Sequence, residues 1–132
     1  MVEPTWLDEE IVLALYEDVV AASGGAFGVR DAGLLASALA RPQQRYHYEE
    51  AREIIALAAT YAVAIASNHP FIDGNKRVAF IALGQFLADN GIVLTAGVDD
   101  ATTIMLGVAK GEVDIEQLTD WLRSRTLGPL RL

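Results

Sequence analysis

Apolar residues recur with a helical period almost from the start of this chain. Ile11, Leu15 and Val19 occupy every fourth position beside Val12, Tyr16 and Val20, while Glu9, Glu10, Glu17 and Asp18 fall toward the opposite face. Asp8 stands where an N-cap belongs and Gly24-Gly25 where a helix stops, so a first helix is expected between them. A loop, Ala26 to Arg30, follows. Asp31 caps a second helix carrying Leu34, Leu35, Ala38 and Leu39, which should end before Pro42 because proline pushes its predecessor out of the helical region. The segment from Gln43 to Glu50, with Arg45, Tyr46, His47 and Tyr48, reads as a mixed loop.

A third helix is expected from about Glu49 to Asn68. It is apolar almost all round from Ile54 onward, the pattern of a helix in the middle of a bundle. A fourth should start near Gly74, run through Phe80, Ile81, Leu83, Phe86 and Leu87, and close at Asn90-Gly91. Ile92 to Thr95 is too short to anchor a sheet. Asp99 or Asp100 caps a fifth helix with Ala101, Ile104, Met105 and Val108 on one face, and Gly111 ends it. Asp114 and Gln117 have capping-box spacing for a sixth, with Ile115, Leu118 and Leu122 as its stripe. Residues 127–132 carry no pattern and are expected to fray. There is no internal repeat, low-complexity segment or linker. The expectation is one all-α domain over residues 1–126 with a short tail, 127–132, in which two apolar central helices are wrapped by amphipathic ones.

Composition narrows the function classes. The chain of 132 residues is long enough to bury a core without staples, and 52% hydrophobic against 21% charged residues excludes general disorder. It has no cysteine, which removes disulfides, zinc–thiolate sites and thiol nucleophiles. A net charge of −8 makes it a poor non-specific binder of nucleic acid, whose phosphates demand surplus Lys and Arg. Mean hydropathy is +0.28, yet the longest apolar run, Ile54 to Ala66, contains Thr60 and falls short of the ~20 residues a membrane span needs. Acidic residues around Glu3 and Asp8 are unlike a signal peptide, so a cytoplasmic protein is expected.

One segment concentrates chemistry: His69-Pro70-Phe71-Ile72-Asp73-Gly74-Asn75-Lys76-Arg77, between the two most apolar helices. The first turn of a helix presents unpaired N–H groups and the positive end of the dipole, where acidic residues belong. Lys76 and Arg77 are basic and sit in that turn, a misplacement of about 0.3–1 kcal/mol each. An anion bound at the helix start resolves it: Gly74 lets the backbone approach, free N–H groups point at the anion and both cations add to the attraction. Phosphate is the obvious anion. A carboxylate beside phosphates needs a divalent cation between them, which makes Asp73 a magnesium-ligand candidate. His69 is the group there that exchanges a proton near neutral pH. Base, metal ligand and anion cradle together describe transfer from a nucleotide phosphate to a hydroxyl. Plainer roles compete: Asp73 or Asn75 as caps, Gly74 as a turn residue, His69 as a core histidine, Lys76 and Arg77 as solvated cations. Singly each serves as well. Jointly they leave two cations at the wrong helix end.

These residues resemble the Fic/Doc family motif, H-P-F-x-D/N-G/A-N-K/G-R. Gly28-Val29-Arg30-Asp31, Leu34-Leu35, Ser37-Ala38-Leu39 and Arg41-Pro42 are similar to the stretch that precedes the motif in death-on-curing (Doc) toxins. Fic adenylyltransferases typically have Gly at the place of Lys76 and a second Arg at the place of Phe80, so the resemblance favours the Doc branch. It implies a Fic/Doc-like helical bundle and the toxin of a toxin–antitoxin pair. It implies a kinase that transfers the γ-phosphate of ATP to a hydroxyl of a translation factor, elongation factor Tu in this family, and so arrests translation. It implies a Phd-like antitoxin whose C-terminal segment folds into a groove on the toxin. Carried over, His69 is the general base and Asp73 holds Mg2+. Gly74, Asn75 and Lys76 form the anion cradle, Lys76 also sets nucleotide orientation, and Arg77 stabilises the transferring phosphoryl group. Arg30 lies in the stretch matching the family's flap, with capping or a pair with Asp31 as its expected role. The competing functions are adenylyl transfer on the same scaffold and a catalytically silent co-regulator beside the antitoxin. Elsewhere Met105 is expected in the core, Trp6 and Trp121 in the core or at groove edges, and Arg123, Arg125 and Arg131 in solvent.

Overall fold

The computed structural model describes residues 3–128 and is built on six helices and one two-stranded clasp. Helix α1 (Glu9–Ser23) starts where the Asp8 carboxylate accepts the Ile11 N–H at 2.8 Å, and stops at Gly24, whose φ of 71° only glycine adopts readily. Helix α2 (Ala32–Tyr48) is capped in the same way by Asp31. The central pair is α3 (Ile54–Asn68) and α4 (Asn75–Asp89). Helix α3 packs most heavily on α4, then on α2 and on α6 (Ile115–Arg123), as its all-round apolar sequence requires. Helix α5 (Val98–Ala109) closes the far side against α3 and α4. Leu57, Tyr61, Ile65, Leu83 and Phe86 are fully buried between these layers, and Met105 joins them. Burial pushes the Tyr61 hydroxyl up to about 12 while it accepts the Leu7 N–H. Among the described residues no helix is long and apolar enough to cross a membrane.

Several local expectations are corrected. Helix α2 does not end before Pro42 but carries it inside and continues to Tyr48. Tertiary contacts outweigh the missing proline N–H: Pro42 and Tyr46 are buried, and Arg45 donates to Thr60 Oγ1 on α3 at 2.6 Å. The mixed loop is therefore shorter, with Glu50 at φ 55°, and α3 begins at Ile54 rather than near Glu49. Gly97, not Asp99 or Asp100, is the α5 N-cap; the two aspartates lie in the first turn, where the dipole favours them. Val93–Leu94 (β1) pairs antiparallel with Thr126–Leu127 (β2), so Leu127 is tied to Val93 and does not open a patternless tail. Residues 129–132, with Arg131, lie outside the described residues.

Of the arginines expected in solvent, Arg123 is exposed and Arg125 half-buried, and both are ion-paired. Arg123 on α6 pairs with Glu53, ahead of α3, and with Asp120. Arg125 pairs with Asp100 and lies over the Trp121 ring, 4.5 Å from its centroid. The hydrogen bond from Arg123, with its charge, holds the Glu53 carboxyl below the ordinary carboxylate range. A folded-state pKa depressed in this way contributes stability above the unfolded value near 4.5 and loses it as pH falls through the folded value. Glu53→Gln is accordingly expected to be less stable than the parent at neutral pH by about 0.2–1 kcal/mol, the range for exposed pairs. That difference should begin to shrink as pH falls below 4.5 and vanish only in acid below the depressed folded value, where the parent carboxyl is protonated. Paired thermal melts at the two pH values check it, and a gap that persists in acid would refute the ion-pair account.

Candidate functional site

The motif segment forms a turn between the C-terminal end of α3 and the start of α4. His69 is the C-cap of α3, in a left-handed conformation at φ 53°, ψ 54°, with its N–H bonded to Ile65 O. It is exposed, not buried, and among the described residues its imidazole makes no hydrogen bond or ion pair, which sets aside the core-histidine role. Phe71, two positions on, is fully buried and stacks on Tyr16 of α1 with ring centroids 3.9 Å apart. This wedge fixes the turn in the core.

Asn75 is 95% buried and its side chain is fully engaged inside the turn. Its Oδ1 accepts the Phe71 N–H at 3.0 Å and its Nδ2 donates to Phe71 O at 2.9 Å. What Asn75 offers outward is therefore its backbone N–H, not its amide. Gly74 is the N-cap of α4 at φ 80°, a conformation that costs a residue with a Cβ about 1–2 kcal/mol. Among the described residues no side chain caps α4. Asp73 does not cap the helix: its Oδ1 accepts the N–H of neighbouring Gly74 at 2.8 Å, and its other oxygen lies against Gly25. A Cβ on Gly25 would sit 2.7 Å from Asp73 Oδ2, so a larger residue there would push this carboxylate aside.

Lys76 and Arg77 are exposed in the first turn of α4, and among the described residues neither has an ion-pair partner. Both line the mouth of an open groove of about 670 Å³ between α1, α4 and α5. Its walls are mostly apolar, including Val19, Phe80, Ile81 and Met105. The turn thus brings together an uncapped helix N-terminus, two cations, a carboxylate and an imidazole. Such an arrangement can bind a phosphate and, with a hydroxyl alongside, move a proton.

A second segment is stitched to the turn. Residues 28–31 run antiparallel to 70–72: Val29 bridges Phe71, Ile72 N–H donates to Gly28 O at 2.9 Å, and both Arg30 N–H (2.7 Å) and Asp31 N–H (3.1 Å) donate to Pro70 O. The Tyr16 hydroxyl accepts the Gly28 N–H at 2.8 Å and donates back to Gly28 O. Arg30 does not pair with Asp31; it caps the C-terminal end of α3. Its Nε donates to His69 O at 2.8 Å and its Nη2 to Asn68 O at 3.0 Å. Capping was one of the roles the sequence offered for Arg30, though not the helix it caps; sequence reasoning missed Tyr16 and Gly25 as parts of the site. The one available signal was the second glycine of Gly24-Gly25, which helix termination alone does not require.

Known proteins bear on this geometry. The Fic/DOC family profile matches residues 6–87, from Trp6 into the last turn of α4. The chain is 33% identical over 117 residues to "Protein kinase doc" of Escherichia phage P1, covering 89% of this chain and 92% of that protein. It is 40% identical over 109 residues to "Toxin Doc" of Mycolicibacterium smegmatis, covering 77% of this chain and 84% of the relative. The profile takes in every element that builds the turn and its flanking loop, and on that match and those two relatives the chain belongs to the Fic/DOC family.

Proposed function

We propose that this protein is the toxin of a toxin–antitoxin pair, a protein Ser/Thr kinase that transfers the γ-phosphate of ATP to a hydroxyl of a translation factor. Elongation factor Tu is the target the resemblance suggests. The observation that carries the reading is the start of α4: glycine at φ 80° and, among the described residues, no side-chain cap and no ion-pair partner for the two cations beside it. A relative named "Protein kinase doc" that spans most of the chain supports the same chemistry.

In this reading the N–H groups of Asn75, Lys76 and Arg77 bind phosphate oxygens, with Gly74 allowing the approach. Lys76 sets the orientation of the nucleotide and Arg77 lies against the phosphoryl group as charge builds on it. His69 takes the proton of the attacking hydroxyl. Asp73 is the residue that would hold Mg2+. Among the described residues no cluster of three or more His, Asp or Glu forms a cage, and one carboxylate with phosphate oxygens and water is the donor set magnesium ordinarily accepts. When bound, the ion supplies neutralisation of phosphate charge. One Asp73 oxygen accepts the Gly74 N–H, and in this reading the other would serve the ion. The apolar groove behind Lys76 and Arg77 suits the folded segment of a Phd-like antitoxin. The protein would act in the cytoplasm, on a soluble target and without direct nucleic-acid contact.

The test is incubation of the purified protein with elongation factor Tu and ATP labelled at either the α- or the γ-phosphate. Label from γ alone is the expected result. Label from α would show adenylyl transfer, against which Lys76 and Phe80 speak. Label from neither would overturn this target.

A further inference from the structure

We infer that Arg30 is a positioning residue that sets the orientation of His69. The inference rests on the reading of His69 as the proton-accepting group, and its ground is the peptide geometry around that residue. The carbonyl of Asn68 belongs to the peptide plane on the N-terminal side of the His69 Cα, and the carbonyl of His69 to the plane on the C-terminal side. The rotation between these two planes is the φ and ψ of His69. One guanidinium donates to both carbonyls, Nη2 to Asn68 O at 3.0 Å and Nε to His69 O at 2.8 Å. A planar fork with fixed donor directions therefore locks both dihedrals at once. The next plane is held too, because Pro70 O accepts the Arg30 and Asp31 N–H groups.

The lock opposes a real tendency to relax. His69 is left-handed at φ 53°, a conformation L residues with a full side chain avoid, and it is exposed, so packing does not hold its ring. The last carbonyls of α3 also lack intrahelical partners and form the negative end of its dipole, which a cation satisfies. Arg30 is itself firmly anchored, since its backbone is bonded to Pro70 and Asp31 beside it caps α2. Lysine could reach one carbonyl but not fix two planes.

The chain has only two histidines, His47 and His69, so the Cε1–H region of a carbon–proton correlation spectrum holds two signals. His47 sits on α2 beside Tyr46 and serves as the internal control. In Arg30→Ala the His69 signal should shift or broaden while that of His47 stays in place. Phosphoryl transfer should lose at least tenfold in kcat, with KM for ATP changed less than twofold, because the α4 cradle is untouched. Arg30→Lys should fall between Arg30→Ala and the parent, and it decides the matter if Arg30→Ala disturbs both histidines through misfolding. A His69 signal that stays put in both variants overturns the inference whatever happens to kcat. Failure of the parent protein to transfer phosphate would sink the kinase reading instead, and the His69 signal would still judge Arg30.

Discussion

Replacing His69 with alanine is expected to slow phosphoryl transfer by about 10²–10⁴-fold, the usual contribution of a positioned general base, while the melting curve stays close to that of the parent. The two halves of this expectation have separate grounds. The rate falls because, in the proposed mechanism, no other group in the turn accepts a proton near neutral pH: Asp73 is given to the cation and Lys76 and Arg77 are charged donors. The fold survives because the imidazole is exposed and bonded to nothing among the described residues. Its removal opens no cavity, and the bonds that shape the turn come from backbone carbonyls that alanine keeps. Initial rates with γ-labelled ATP, set beside circular-dichroism melts, measure both. An undiminished rate would remove His69 from the chemistry.

Phe71→Ala should show the opposite profile, a loss of stability of about 3–5 kcal/mol, the range for a buried aromatic truncated to alanine. Phe71 is fully buried, and its ring lies 3.9 Å from that of Tyr16 with the planes 14° apart. Deleting it empties the space beneath the turn and removes one stacking partner of a second buried ring. Small domains hold only about 5–15 kcal/mol in total, so the urea midpoint should fall steeply. The neighbouring Ile72 is 52% exposed, and Ile72→Ala should stay within about 0.5 kcal/mol of the parent. Equal losses at the two positions would show that the turn is not wedged through Phe71.

What the sequence made legible follows the range of the interactions involved. Asp8, Asp31 and Asp114 all cap the helices they were expected to cap, and Asp114 with Gln117 forms the full capping box, because capping is chemistry between residues three apart. The central pair of helices was equally plain, since α3 is apolar on every side. The course of α2 beyond Pro42 was not, because what holds it there is Tyr46 in the core and Arg45 on Thr60, both with partners from other elements. The pairing of Val93 with Leu127 joins residues far apart in the chain and leaves no periodic trace.

The candidate site divides along the same line. Its reactive groups lie in one unbroken run and announce themselves by type. The residues that shape that run do not: Arg30 reaches across to Asn68 and His69, Gly25 makes room for Asp73, and Tyr16 supports Phe71. Asn75 was visible by type, yet only the structure shows that its amide is turned inward.

Tyr16 gives this arrangement a further meaning. A single ring on the first helix is the floor under Phe71, and through its hydroxyl it is also the hinge-pin of the strand at Gly28. A fragment that began after Ser23 would retain His69 to Arg77 letter for letter and lose the ring they lean on. The signature is thus no portable cassette: grafted elsewhere without an aromatic keystone from an upstream helix, it would be a string of suitable side chains with nothing to set their aim.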